Sequence, residues 1–426
     1  MKKIVCIALS IVLLLVLFGC SSSTPPTSTN TVNSPSPADV GTSTAPSTNQ
    51  GSADSSNTVS RDDWIKIEYT FATYLPESNF INRVFFNEWL NSLEKHMPGY
   101  VNITMYASGT LLAQPDIYDG VKIGTADIGF LDLSQSTNKF PLSTIWSLPT
   151  CFTGSSVAAA AAITEWIQKY QPAEFDDFVV LHGYASSPTD MVSSFPVNGV
   201  SDFAGKQIRA SATLAPTILA FGGIPVTIDT SELYEAARSN MIQGAYYGLA
   251  MAQQTGCTEF LNYATFLDMG SIPYAFLMNK DSLAKMPESQ QEAFLMAIRE
   301  AFWETSLYLV QPIMMEDPVL IKALADGEIT LNVLPDATLK ELHDAAAFIL
   351  KDKITELDAM GFAGEETVNQ ITELVQKWAA WYPMTVKIDS YQAAAEGRFE
   401  EHVAKRDSIP YPDMPEVYGY TPSDKR

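Results

Sequence analysis

Among 426 residues there are only four cysteines and four histidines, and 26 basic residues stand against 49 acidic ones. Each scarcity removes a class of function. Without a C-x-x-C pair or an H-E-x-x-H helix, and with His96, His182, His343 and His402 scattered, a dedicated zinc site has no support. Cys151 and Cys257 stand about 100 residues apart, either bridged or buried as thiols. A net charge of −23 repels nucleic acid and anionic membrane surfaces. P-loop, G-x-S-x-G and Rossmann glycine fingerprints are absent, and the tetrapeptide "STNK" from Ser136 matches S-x-x-K without its companion motifs.

Long apolar runs are also lacking. The longest, Ile4 to Phe18, has 15 residues, whereas a spanning helix needs about 20. Preceded by Lys2 and Lys3, it reads as a secretory signal over residues 1–19. It ends in "LFGC", which resembles a lipobox and predicts lipid on Cys20. Two or more acyl chains give stable anchoring to the outer face of the cytoplasmic membrane. Residues 20–61 are almost entirely Ser, Thr, Pro, Asn, Gly and Ala, and cannot offset their ordering entropy by burial. They predict a flexible tether with a root-mean-square reach of about 35 Å.

What is present is 46% hydrophobic residues and a chain long enough for two domains sharing a cleft. From Trp64, "WIKIEYTFATYL" alternates as a strand, "FINRVFFNEWLNSLEKH" has helical spacing, "VNITMYA" is a second strand, "QPDIYDGVKIG" a helix and "TADIGFLDL" a third strand. This order predicts an α/β lobe with a largely parallel sheet. Ligands collect at the carboxyl ends of such strands, which places Tyr74 and Asp132 by the cleft. A second lobe begins near residue 190. "GKQIRA" is a strand ending at Arg209, and "IPVTI" another, followed by Asp229 and Glu232 at capping-box spacing. Asn240 suits a left-handed helix end, and "MIQGAYYG" delivers Tyr246 and Tyr247 to a strand's carboxyl end. A helix from Pro287, interrupted at Pro312, is expected to run as a spine across both lobes.

Six fragments in order, "YTFATYLPES", "YASGTL", "VKIGTADIGF", "DFAGKQIR", "GGIPVTIDTSELYEAARSNMIQG" and "LMNKDSLAKMPESQQEAF", resemble the solute-binding proteins of tripartite ATP-independent periplasmic (TRAP) transporters. The similarity runs over roughly residues 66–380. It implies a two-lobed, type II-like periplasmic-binding fold, the lobes joined by crossover strands and a long helix. Lobe I would take residues 62–186 with about 275–320 returning, lobe II 187–274 with about 321–385 returning, and 386–426 would be an extension without a functional account. It also implies that the arginine of "GKQIR", Arg209, grips a substrate carboxylate, and that the partners are a small organic acid and membrane permease subunits.

Physical chemistry supports the same residue. A planar guanidinium offers two parallel donors that fit a carboxylate, and nothing adjacent in sequence neutralises it. Where many family members carry asparagine, this chain has Tyr247, and Tyr246 replaces a glutamate that helps hold a metal in others. No cofactor or metal is expected. The window "SSPTDMVSS" lacks the second arginine of some members, so a monocarboxylate with an apolar or aromatic body is favoured. Asp132 either touches polar ligand groups or caps a helix; Thr230 lines the cleft or caps; Trp146 lines it or packs in the core. The expected function is binding and delivery, not catalysis. A sensor feeding a receptor kinase, or an envelope enzyme using Asp132 and Tyr247 as acid and base, are the alternatives.

Overall fold

Alternating strand- and helix-forming segments separate into two sheets in the computed structural model, which describes residues 61–149, 156–186, 189–305, 316–381 and 387–408. The expected signal, Cys20, the tether, Cys151 and Pro312 lie outside the described residues. The first sheet takes β1 (Ile67–Ala72), β2 (Val101–Tyr106), β3 (Ile128–Asp132), β4 (Phe178–Ala185) and, much later in the chain, β10 (Pro273–Asn279), in the order β2-β1-β3-β10-β4. The second takes β5 (Thr189–Ser193), β6 (Gln207–Arg209), β7 (Ile224–Val226), β8 (Gly244–Tyr246), β9 (Tyr263–Met269) and β11 (Thr330–Asn332), in the order β11-β9-β5-β8-β6-β7.

Both sheets are mixed, where a largely parallel first sheet was expected. β1 is parallel to β2 and β3, but β10 is antiparallel to β3 and β4. The reason is the route of the chain. β10 arrives straight from β9 in the other sheet, through residues 270–272, and so runs against the strands that were fed by helices. The other crossover, from β4 to β5, lies alongside it: Ser186 N donates to the Ile272 carbonyl at 3.0 Å and Thr189 N to that of Gly270 at 3.0 Å. Gly270 sits at φ 65°, where a Cβ would stand 2.5 Å from the Ser147 carbonyl oxygen, so only glycine passes the crossing without strain.

Helices α1 (Asn87–His96), α2 (Ile117–Lys122) and α3 (Ser156–Tyr170) belong to the first sheet; α4 (Ala215–Ala220), α5 (Leu233–Arg238) and α6 (Leu249–Gln254) connect strands of the second. After β10 come α7 (Lys280–Ala284), α8 (Glu288–Glu304), α9 (Pro318–Ala325), α10 (Asp336–Ala359), α11 (Gly364–Trp381), α12 (Lys387–Ala395) and α13 (Phe399–Asp407). The capping box at Asp229 and Glu232 is present, and Asn240 adopts φ 57°.

Three expectations need correction. Pro287 occupies the N-cap of α8, one residue before its first turn. Within its described length α8 packs on α1 and β4, so it serves the first lobe and is not the spine; its apolar face buries Phe294, Ile298 and Phe302 there. The helix that meets both sides is α10, which packs on α4 and β9 of the second lobe and on α11. α11 in turn lies on α3, so the return of residues 321–385 to the second lobe stops short of it. The anchor is chemical as well as apolar. Buried Glu165 of α3 accepts from Lys377 Nζ at 2.7 Å and from Trp378 Nε1 at 2.7 Å. One apolar cluster, from Phe71, Trp89 and Phe276 to Val192, Ala264 and Phe266, joins the two sheets.

Candidate functional site

Arg209 closes β6, a strand flanked on both edges, with its own register partners Val226 on β7 and Ala245 on β8. Its side chain is therefore rooted in the second sheet, and the residue is only 9% exposed. Nε donates to the Ile228 carbonyl at 3.4 Å, and the guanidinium carbon lies 4.8 Å from the centre of the Tyr247 ring, a cation–π contact. Among the described residues no carboxylate makes an ion pair with it. Burial pulls its pKa down, opposed by the charges of Tyr247 and Asp229, yet arginine stays protonated under any ordinary condition.

Tyr247 is aimed by the residues around it. Its N–H donates to the Asp190 carbonyl at 2.8 Å, and two residues on, Leu249 N donates to the Asp190 carboxylate at 3.0 Å. Burial raises the Tyr247 phenol, while the nearby Thr230 side chain and the charge of Arg209 lower it.

The first sheet contributes a row of groups at one level. Asp132 on β3 pairs in register with Tyr274 on β10, which pairs with Tyr184 on β4. Tyr74, Phe130, Tyr274 and Tyr184 follow one another as stacked rings, with centroids 5.9, 5.3 and 5.8 Å apart. Asp132 accepts from Ser134 N at 2.9 Å and Ser134 Oγ at 2.6 Å, so the capping role is real. Burial pushes its pKa up to about 6 in spite of those bonds. The charge of Asp132 acts on Tyr74, Tyr274 and Tyr247, and Arg209 feels both Tyr247 and Tyr274. Tyr247, beside Arg209 on one sheet, is thus within electrostatic reach of Asp132 and Tyr74 on the other.

Tyr246 does not join them. It is 1% exposed, packs beside Ile208 and Leu267, and donates its hydroxyl to the Met269 carbonyl at 2.8 Å. Neighbouring residues on a strand point to opposite faces, so only one of the two tyrosines can lie on that side. Trp146 is a core residue, fully buried with its ring 6.1 Å from that of Trp166. Cys257 is a buried free thiol donating to the Ala252 carbonyl. Tyr274 was missed from sequence, since only the pairing of β10 with β3 brings it beside Asp132; Phe130, on β3 itself, and Tyr184 are fully buried core residues. A surface depression of about 620 Å³, with Glu77, Arg83, Phe86 and Met105 in its wall, holds none of the candidate residues. Among the described residues no group of His, Cys, Asp or Glu could hold a metal ion, and no helix is long and apolar enough to cross a membrane.

The profile of "Bacterial extracellular solute-binding protein, family 7" matches residues 71–357. A curated solute-binding protein of Chromohalobacter salexigens is 20% identical over 238 residues, which is 54% of this chain and 71% of that one. A TRAP periplasmic solute-binding protein from Desulfovibrio salexigens, solved as an open complex with the C-terminus of a symmetry mate in its ligand-binding site, is 28% identical. It superposes with a TM-score of 0.66 over 73% of this chain and 96% of that one. A marine metagenome TRAP solute-binding protein in complex with metahydroxyphenylacetate gives 0.66 at 19% identity, over 74% and 99% of the two chains. One from Rhodoferax ferrireducens with copurified benzoate gives 0.64 at 18%, also over 74% and 99%. With two mixed sheets joined by paired crossovers and a family match over most of its folded length, this chain belongs to family 7 of the bacterial extracellular solute-binding proteins and has the two-lobed fold of TRAP solute-binding proteins.

Proposed function

We propose that this protein captures a small monocarboxylate with an aromatic or apolar body outside the cytoplasmic membrane and hands it to the membrane subunits of a TRAP permease. The observation that carries this reading is Arg209: a guanidinium withdrawn from water, laid on Tyr247, with no ion-pair partner among the described residues. Burying a charge without a counter-charge is costly, and a ligand carboxylate offsets that cost while matching the guanidinium's two parallel donors. The half-buried rings of Tyr74 and Tyr274, backed by buried Phe130, suit a flat apolar body. Relatives of the same fold hold metahydroxyphenylacetate and benzoate, in keeping with that shape.

Binding is non-covalent. A ligand touching Arg209 and Tyr247 on one side and Tyr74 or Asp132 on the other binds the closed arrangement of the lobes better than the open one, and so shifts the population toward it. The closed form is then what the permease recognises. Acyl chains on Cys20 and the tether over residues 20–61 keep the carrier near that permease. Thermal shift against a panel of small acids and their methyl esters tests the carboxylate role. A ligand at 100 times its Kd stabilises by about 2.7 kcal/mol, so at least one acid should raise the melting temperature and its ester should not. Equal stabilisation by acid and ester would sink the reading.

A further inference from the structure

The family profile ends at residue 357, yet helices beyond it are built into the body. α12 carries Tyr391, which is fully buried, with its ring 5.9 Å from that of Phe266 on β9. Phe266 is the register partner of Asp190 on β5. Asp190 is itself 2% exposed and holds the segment after β8 at two points, by its carbonyl to Tyr247 N and its carboxylate to Leu249 N. After burial, the charge of Asp190 is the strongest influence on the Tyr391 phenol, raising its pKa. On the other flank Ser390 Oγ lies 3.1 Å from Glu316 Oε1 and 3.1 Å from His402 Nε2, which fixes α12 against α13 and the entry to α9. A single line of contacts therefore runs from α12 through the β9–β5 pair to the residue whose ring lies over Arg209.

We infer that Tyr391 is a positioning residue: its ring, packed on Phe266, backs the Phe266–Asp190 pair and so holds the Tyr247–Leu249 segment in place, which makes the C-terminal helices part of the binding machinery. The consequence for affinity rests on the carboxylate reading above; the support itself does not.

Tyr391→Leu takes the ring off Phe266, whereas Tyr391→Phe keeps it there. Hydrogen–deuterium exchange of the ligand-free protein should then quicken roughly tenfold at the amides of Tyr247 and Leu249 in Tyr391→Leu and stay at the parent rate in Tyr391→Phe. The amides of β1 and β2 should be unchanged. Asp190→Asn should produce the same local rise, and its double variant with Tyr391→Leu should exchange no faster than the quicker single one, because both act along one path. Unchanged exchange at these two amides in Tyr391→Leu overturns the inference. So does a uniform rise over the whole body, or a rise in the double variant that is the sum of the two singles. No ligand is needed for this result. A failed acid-versus-ester comparison removes the carboxylate role and leaves the support standing.

Discussion

The guanidinium of Arg209 and the ring of Tyr247 make different contributions, and substitutions can separate them. Arg209→Ala removes one partner of a desolvated charge pair, which costs about 3–5 kcal/mol, or roughly two to three and a half decades in Kd. Arg209→Lys keeps the charge and loses the fork; it should recover only part of that affinity, since a point charge does not fit both carboxylate oxygens. Calorimetric titration of the two variants with the acid found by thermal shift checks this, and equal loss in both would mean that shape, not charge, is what the site needs. Tyr247→Phe preserves the ring 4.8 Å from the guanidinium carbon and should weaken binding less than tenfold. Tyr247→Ala should do more harm, because the guanidinium loses its aromatic cover. At this scale sequence proposes Arg209, Tyr247, Thr230, Asp132 and Tyr74, because strand ends are legible and ligands gather there. Tyr246 was placed with them although strand alternation already separates it from Tyr247. Tyr274 could not be found that way, since its place beside Asp132 depends on the pairing of β10 with β3, far apart in sequence.

Elements that follow local rules were readable: the strand–helix alternation, the capping box at Asp229 and the left-handed Asn240 all lie within a few residues of the signals that predict them. What was not readable was which helix bridges the lobes and where α11 packs. α8 and α10 have similar amphipathic patterns and α11 a stronger one, and such a pattern says that a face is buried without saying against what. The deciding contact for α11 is polar. Glu165, 5% exposed on α3, takes hydrogen bonds from Lys377 and Trp378, and Gln370 of α11 accepts from Trp166 at 3.3 Å. Lys377→Met should leave Glu165 buried with its charge answered by the indole alone. Hydrogen bonds to charged groups contribute about 1.5–3 kcal/mol; with the lysine half exposed, the lower end of that range applies. Urea unfolding of Lys377→Met should show a lower midpoint with unchanged slope. Lys377→Arg, which retains the pair, should restore most of it, and a midpoint equal to the parent in Lys377→Met would show that packing alone holds the helix.

For the whole molecule, charge sets how stability changes with pH. Burial raises Glu174 from 4.5 to about 7, against hydrogen bonds from Ser143 and Leu142, and raises Asp132 from 3.8 to about 6, against those from Ser134. A carboxyl whose pKa is higher folded than unfolded favours the fold at low pH and loses that contribution as pH climbs through its folded value. The windows here are 4.5 to about 7 and 3.8 to about 6, and both make the protein more stable as pH falls from 8 toward 5. Relief of self-repulsion from a net charge of −23 acts in the same direction. Asp127 and Glu300 act oppositely. Burial pushes both up, but hydrogen bonds from Ser282 and Thr70 in one case, and from Lys95 and His96 in the other, hold them below their ordinary values. Their contribution is present above the unfolded pKa and disappears as pH falls through the folded one, which lies lower. The melting temperature should therefore peak at mildly acidic pH, near 5, and decline on both sides. Two controls separate the causes. Glu174→Gln should flatten the alkaline limb by deleting one raised carboxyl, while added salt at pH 8 should raise the melting temperature by screening repulsion, without affecting the buried groups as strongly. A melting temperature that is highest at pH 8 in low salt would contradict both the raised carboxyls and the cost of so large a negative charge.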